Sequence, residues 1–392
     1  MGNEVVEVQE DPVKTEAFLN YRFYLRQRPL MLAVLSGLAV ISFLMVTLLS
    51  SAYYAQRQSL GNRWFNRGMA DLQAKRFDAA VTDFRAALLY SRDNYTYQLN
   101  LAEALLGQNR SGQASAYLLN LWDREPEDGL VNLELARIAK GKGQVQPAVR
   151  YYHNAVYAAW PSDQENERLD ARLELIELLL GNNERAQAES EVIALEANVG
   201  DDPVLQAKVG DLFVRTLDYE RAFAAYRASL KENRHDQAAM AGAGQAAFEL
   251  SRYPEAYRYL QEAVAASPSD TKSAALLTTT DLVLQMDPFR RQLSLAQRAR
   301  IVVDAFSTAG QRLQACGTRQ GPAAARLASL ADSWAKLKPQ ITEVELQRKP
   351  GLVETAMDVV FNIERQTSEV CGPPSGPDLA LLLIAKLHEG VQ

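Results

Sequence analysis

The segment LMLAVLSGLAVISFLMVTLLSSA, Leu30 to Ala52, constrains this chain more than any other. No charged residue lies between Arg28 and Arg57, so nothing in it would have to enter hydrocarbon unpaired. As a helix these 23 residues reach about 34 Å, enough to cross a hydrocarbon core of roughly 30 Å. Tyr21, Phe23 and Tyr24 precede the segment and Tyr53 and Tyr54 follow it, the placement of amphipathic rings at headgroup level. A membrane-spanning helix is expected over residues 30–54. Two competitors remain. A buried helix of a soluble core rarely runs this long without a polar face. A cleaved signal peptide would have a shorter apolar region nearer the N-terminus, although Ser50, Ser51 and Ala52 supply small residues at the right end.

The 392 residues leave room for two or three domains, and the 47% hydrophobic fraction is ordinary for globular structure. A net charge of −6 argues against general nucleic-acid binding, which needs a basic footprint. The charge is uneven: between Pro288 and Pro350 there are 11 Lys/Arg against 4 Asp/Glu. Arg290, Arg291, Arg298 and Arg300 there could meet phospholipid headgroups or an acidic partner, or form a solvated face. Only two cysteines occur, Cys316 and Cys371. That excludes a disulfide-dense scaffold or a zinc array but leaves one bridge possible.

Within the N-terminal tail, 1–29, residues 1–20 read as polar, acidic and mobile, with Pro12 interrupting any helix that starts there, and aromatic and basic residues alternate from Phe18 to Arg28, as in a segment entering a membrane surface. Lys14, Arg22, Arg26 and Arg28 precede the span, against Arg57, Arg63 and Arg67 after it. The positive-inside rule therefore favours a cytoplasmic N-terminus and an extracytoplasmic body.

Beyond Gly61 the sequence repeats. Trp64, Gly68, Phe77, Ala80, Phe84 and Ala87 form a first unit; Leu101, Ala102, Ala114 and Pro126 a second; Gly143, Ala148, Tyr152 and Ala155 a third. Ala80, Ala114 and Ala148 are spaced by 34. After an insertion beginning at Pro161, a weaker fourth unit centres on Gly181 and Ala186. Gly210, Tyr219, Ala222 and Tyr226 make a fifth, and Gly244, Tyr253, Ala256, Ala263 and Pro268 a sixth. These residues resemble the signature of the tetratricopeptide repeat (TPR), a 34-residue helix-turn-helix. The resemblance covers about 61–270 and implies helix pairs stacked into a right-handed superhelix that recognises peptides or proteins. Residues 271–392 are expected to cap the array as a C-terminal helical domain, with helical runs near 292–315, 322–338, 341–369 and 378–389. The fold class is thus all-α: an N-terminal transmembrane helix, a TPR α-solenoid and a helical cap.

The resemblance also names an inner wall, made by the fifth, ninth and twelfth residues of each first helix. Here it includes Phe65, Met69, Leu72, Leu99, Glu103, Leu106, Leu133, Arg137 and Lys140. The Lys/Asn/Arg clamp by which some arrays hold a carboxyl-terminal peptide is missing from these positions. The alternative for Phe65, Met69 and Leu72 is packing against a linker from the membrane helix. His153, His235 and His388 lie far apart, and neither a phosphate loop nor a nucleophile elbow is present. No cofactor, metal or enzymatic activity is expected. The sequence reads as a membrane-anchored adaptor that binds protein partners, with its array in the periplasm of a bacterial inner membrane. The alternative is a permanent subunit of a large membrane complex; oligomeric state is open.

Overall fold

The computed structural model describes the backbone of residues 12–317 and 322–389 and the side chains of 31–317 and 327–389. Its first element, α1, runs Pro12–Gln73, 62 residues or about 93 Å. The expected tail is therefore corrected from residue 12 onward. Proline at the first helical position loses no intrahelical bond and has a suitable φ, so Pro12 starts the helix instead of blocking it. Residues 1–11 lie outside the described residues, as do the side chains of Lys14, Tyr21, Arg22, Phe23, Tyr24, Arg26 and Arg28. From Met31 to Tyr54 every side chain is exposed. This is a helix long and apolar enough to cross a membrane, and it continues unbroken into the first helix pair.

The chain divides into two compact units between Arg168 and Leu169. In the first, α1 is followed by α2 (Phe77–Tyr90), α3 (Tyr95–Gly107), α4 (Ser111–Arg124), α5 (Gly129–Gly141) and α6 (Val145–Tyr157). Ala80, Phe84, Ala87, Leu101, Ala102, Ala114, Leu118 and Leu121 are fully buried in its core. The approach of α1 to α2 is close: a Cβ at Gly68 would lie 2.7 Å from the Phe84 ring.

From α7 (Glu165–Gly181) the chain enters the second unit, with α8 (Arg185–Glu196), α9 (Pro203–Thr216), α10 (Tyr219–Glu232), α11 (Gln237–Glu249), α12 (Tyr253–Ala266) and α13 (Thr271–Met286). Then come α14 (Leu295–Gly317), α15 (Pro322–Leu337), a 3-10 turn, α16 (Glu343–Arg348), α17 (Gly351–Cys371) and α18 (Gly376–His388). Helix α13 packs on α12 on one side and on α18 on the other. Tyr253 and Val283 belong to the same apolar cluster as Val302, Phe306, Met357, Val360, Leu381 and Ile384. The C-terminal helices thus extend the core of the last repeats instead of forming a separate one.

Backbone geometry repeats as strictly as sequence. Within each pair the first helix ends on one left-handed residue: Lys75, Asn109, Gly143, Asn183, Leu217 and Ser251, with φ between 56° and 70°. The next N–H then bonds back five residues, Arg76 to the Asp71 carbonyl, Arg110 to Leu105 and likewise to Arg252 with Ala247, at 2.8 to 3.0 Å. This double turn satisfies carbonyls that the helix end would leave open. First helices are capped by Asn94, Asp128, Asp202, Asp236 and Asp270, whose side chains accept N–H bonds. All three series step by 34 except across the insertion.

The fourth unit needs a correction. Ala186 is exposed, whereas Ala188 is fully buried, and Ala188 lies 34 before Ala222. The insertion displaces the register, so counting forward from Ala148 misses it. Ala188→Leu is expected to overpack the pair and cost about 1–3 kcal/mol, lowering the melting temperature of the purified chain as Ala148→Leu and Ala256→Leu should, while Ala186→Leu leaves it unchanged. At the turn before α10, Leu217 holds φ 70°, a conformation that disfavours a branched side chain. Leu217→Gly is expected to raise stability by about 0.5–1 kcal/mol, measured by denaturant midpoint.

Candidate partner-binding site

In the first unit, the expected wall is mostly committed to packing. Phe65 stacks on Tyr97, with ring centroids 5.0 Å apart, and leans on Phe84 at 5.7 Å. Phe65, Met69, Leu72, Leu99 and Leu106 are half-buried against the core of this unit. Since α1 is continuous, no linker exists for them to cover; they pack on their own repeat and its neighbour. Leu133 is fully buried and is withdrawn from the accessible wall, because a large apolar side chain at that position completes the core. Glu103 and Lys140 remain exposed, and Arg137 pairs with Glu134 at 2.6 Å. The protein around the Glu103 carboxyl, and then the Glu134 carboxylate, raise its pKa above the ordinary value.

In the second unit the same helical positions line a cavity of about 470 Å³ between α9, α11 and α13. Counting five, nine and twelve residues along α9 and α11 reaches Asp211, Val214, Ala241 and Gln245, which line it, and Ala207 and Phe248, which do not. Gly242 opens the floor: a Cβ there would lie 2.3 Å from the Tyr226 ring. The Tyr226 hydroxyl donates to Asp211 Oδ1 at 2.6 Å, and burial pushes its pKa well up. Arg215, at the rim, is held by both oxygens of Glu177 at 2.5 and 2.8 Å. Lys272 Nζ donates to Gln245 Oε1 at 2.7 Å. Small residues, an apolar floor and fixed groups of both charges suit an extended peptide, whose backbone offers donors and acceptors in alternation.

Among the basic residues singled out near 290–300, Arg290 donates to the Leu284 carbonyl and Arg300 lies 3.7 Å from Glu343. Further along the C-terminal helices, Cys316 and Cys371 meet with Cα atoms 6.0 Å apart, at the ends of α14 and α17. Arg312 lies four residues before one cysteine and Thr367 four before the other, and Arg312 Nε donates to Thr367 Oγ1 at 2.8 Å. The two helices therefore run in the same direction, with α15 and α16 as the return. Arg312 also donates to the Gly372 carbonyl at 3.0 Å and lies 3.3 Å from Glu364 and 3.6 Å from Asp378.

One guanidinium thus serves two carboxylates. Glu364 is wholly buried and neither of its oxygens has a hydrogen-bond partner among the described residues. Burial, followed by Asp378, pushes its pKa up to about 8, against the pull of Arg312. Since the folded pKa exceeds the ordinary value of 4.5, folding retains a proton that the unfolded chain releases. The associated stability is complete below pH 4.5 and is lost as pH rises to about 8. Glu364→Gln should flatten this slope, with a higher melting temperature than the parent chain at pH 8 and little difference at pH 5.

Two stretches match the tetratricopeptide repeat family: residues 71–138, in the first unit, and residues 209–271, in the second. Both units therefore carry these repeats. A comparison with curated proteins gives no significant match. Among solved structures, the chain is similar to YrrB, a TPR protein with an unusual peptide-binding site, at 14% identity and a TM-score of 0.41, over 49% of this chain and 95% of that one. It is similar to PilF of Pseudomonas aeruginosa at 15% identity and a TM-score of 0.40, over 56% and 97% of the two chains. The C-terminal part of a TPR protein from Cytophaga hutchinsonii aligns at 12% identity and a TM-score of 0.44, over 61% and 92%.

Proposed function

We propose that this protein is a membrane-anchored TPR adaptor that holds protein partners beside the membrane, with its N-terminus cytoplasmic and its repeats in the periplasm. The observation that carries the reading is α1: one uninterrupted helix joins an exposed apolar segment to the first repeat. An exposed row of Leu, Val, Ile and Phe has no stable place in water. The closeness of Cys316 and Cys371 supports an oxidising compartment. The cavity between α9, α11 and α13 supplies a place for an extended segment of a partner.

Two measurements test this. Protease added outside spheroplasts should remove the repeats and leave a small protected fragment around residues 30–52; protection of the whole array would reverse the orientation. A photo-crosslinking residue at position 245 in native membranes should capture discrete protein partners, and Ala241→Arg, which fills the cavity from one side, should abolish the adducts without loss of helix content. Adducts that survive Ala241→Arg would remove the cavity from partner binding.

A further inference from the structure

The second unit carries a further cleft, built by the second helices of two successive pairs and apart from the cavity between α9, α11 and α13. Its volume is about 390 Å³. Arg227, Lys231 and Arg234 reach it from α10 and the turn beyond, and Arg258 from α12. Met240, at the start of α11, and the Tyr259 ring give it an apolar lining. Glu262 is the acidic residue there, so four cations face one carboxylate.

Most arginines of this region are already neutralised by a neighbour. Arg215 pairs with Glu177, Arg221 with Asp218 and Arg252 with Glu220. Arg227, Arg234 and Arg258 have no ion-pair partner among the described residues, and all three line the cleft. Lys231 lies 3.7 Å from Glu232. The Arg258 guanidinium sits 4.6 Å over the Tyr259 ring and that of Arg227 5.8 Å over Phe223. A ring face attracts a guanidinium without using its N–H donors, which stay open to an anion.

Helix structure alone does not account for the cluster. Arg227 and Lys231 are four apart on α10, where like charges repel. The carbonyl end of α10 favours Lys231 and Arg234. It does nothing for Arg258, which stands in the second turn of α12, toward the positive end of that helix. In a chain of net charge −6, this is a local reversal of sign that draws acidic groups.

The spacing selects among anions. Arg227 and Lys231 are about 6 Å apart along the helix axis, and Arg234 lies beyond them. A lone phosphate needs donors that converge, whereas these are strung along the cleft. In an extended peptide, side chains two apart are separated by about 6.6 Å and point the same way. Carboxylates at alternate positions match the row, and the side chains between them meet the apolar lining.

We propose that the cleft between α10 and α12 binds an extended acidic segment of a partner protein, with its carboxylates on Arg227, Lys231 and Arg258 and its apolar side chains on Met240 and Tyr259. This goes beyond the adaptor reading and depends neither on the membrane span nor on the cavity between α9, α11 and α13.

The test uses the full chain in a non-ionic detergent and a short fluorescein-labelled peptide of alternating aspartate and leucine, followed by fluorescence anisotropy. A twin with asparagine for aspartate should bind about tenfold or more weakly, because it loses the charge on every hydrogen bond. Arg227→Gln with Arg258→Gln should weaken the aspartate peptide by a similar factor with unchanged helix content, both side chains being exposed. Arg227→Glu with Arg258→Glu should transfer the preference to a lysine and leucine peptide. Arg85→Gln with Arg150→Gln removes two exposed charges from the first unit and should leave binding as it was. Equal affinity for the two peptides, equal affinity of parent and Gln variant, or an equal loss in the first-unit control overturns the proposal. Inorganic phosphate or phosphatidylglycerol vesicles that bind the parent chain and not the Gln variant, with no binding of the aspartate peptide, would give the cleft to phosphate and also overturn it.

Discussion

Every helix pair of the array closes on a side chain no larger than a methyl group. Ala80, Ala114, Ala148, Ala188, Ala222 and Ala256 are all without solvent exposure, and each lies in the first turn of a second helix. Alanine there lets two backbones approach until aromatic and branched neighbours fill the remaining space. The left-handed turn that precedes it reverses the chain and closes the first helix's open carbonyls in one step. Each pair is thereby a hairpin of fixed geometry with one apolar face still uncovered. Stacking is how that face is buried, so the core exists only as a property of neighbouring repeats.

This division of labour explains what could be read from the residues and what could not. The buried alanines and the aromatic positions carry a period, and a period survives without any knowledge of contacts. At the fourth unit the insertion after Trp160 moves the register, and Ala188 becomes visible only when counted back from Ala222. Gly143 advertises its left-handed turn, and asparagine at 109 and 183 tolerates it. Lys75, Leu217 and Ser251 carry no such mark, because the turn is imposed on them by the packing of the two helices they join. Leu133 has the position of a wall residue and the bulk of a core residue, and bulk decided. None of the wall residues named from the sequence lines the cavity between α9 and α11, which depends on Gly242 and Tyr226 leaving room, a fact of packing. The meeting of Arg312 with Glu364 and Asp378 brings together separate helices and has no local signature.

The continuity of α1 ties the proposed anchor to the same hairpin logic. A flexible linker would have allowed the repeats any orientation, at an entropic cost growing only slowly with its length. Helix leaves one. Rotation of α1 about its axis carries the first repeat with it, and Arg57, five residues beyond Ala52, ties the second helix to the first. The orientation of the first helix pair relative to the apolar segment is thus set by side chains within the first unit.

At the other end, a solenoid exposes an apolar face unless something covers it, and here α13 serves as both last layer and foundation. Val283 on α13 faces the cluster built by α14, α17 and α18, so the helical cap is a continuation of the core with a different topology. That topology contains a costly feature, the buried Glu364 carboxyl without a hydrogen bond beside a shared arginine. A cross-link between Cys316 and Cys371, 55 residues apart, would act on the other side of the balance. Closing such a loop restricts the unfolded chain by about 4 kcal/mol in the entropy treatment. It also holds the ends of α14 and α17 together one turn beyond Arg312. The arginine is then kept between its two acidic partners by covalent geometry as well as by charge.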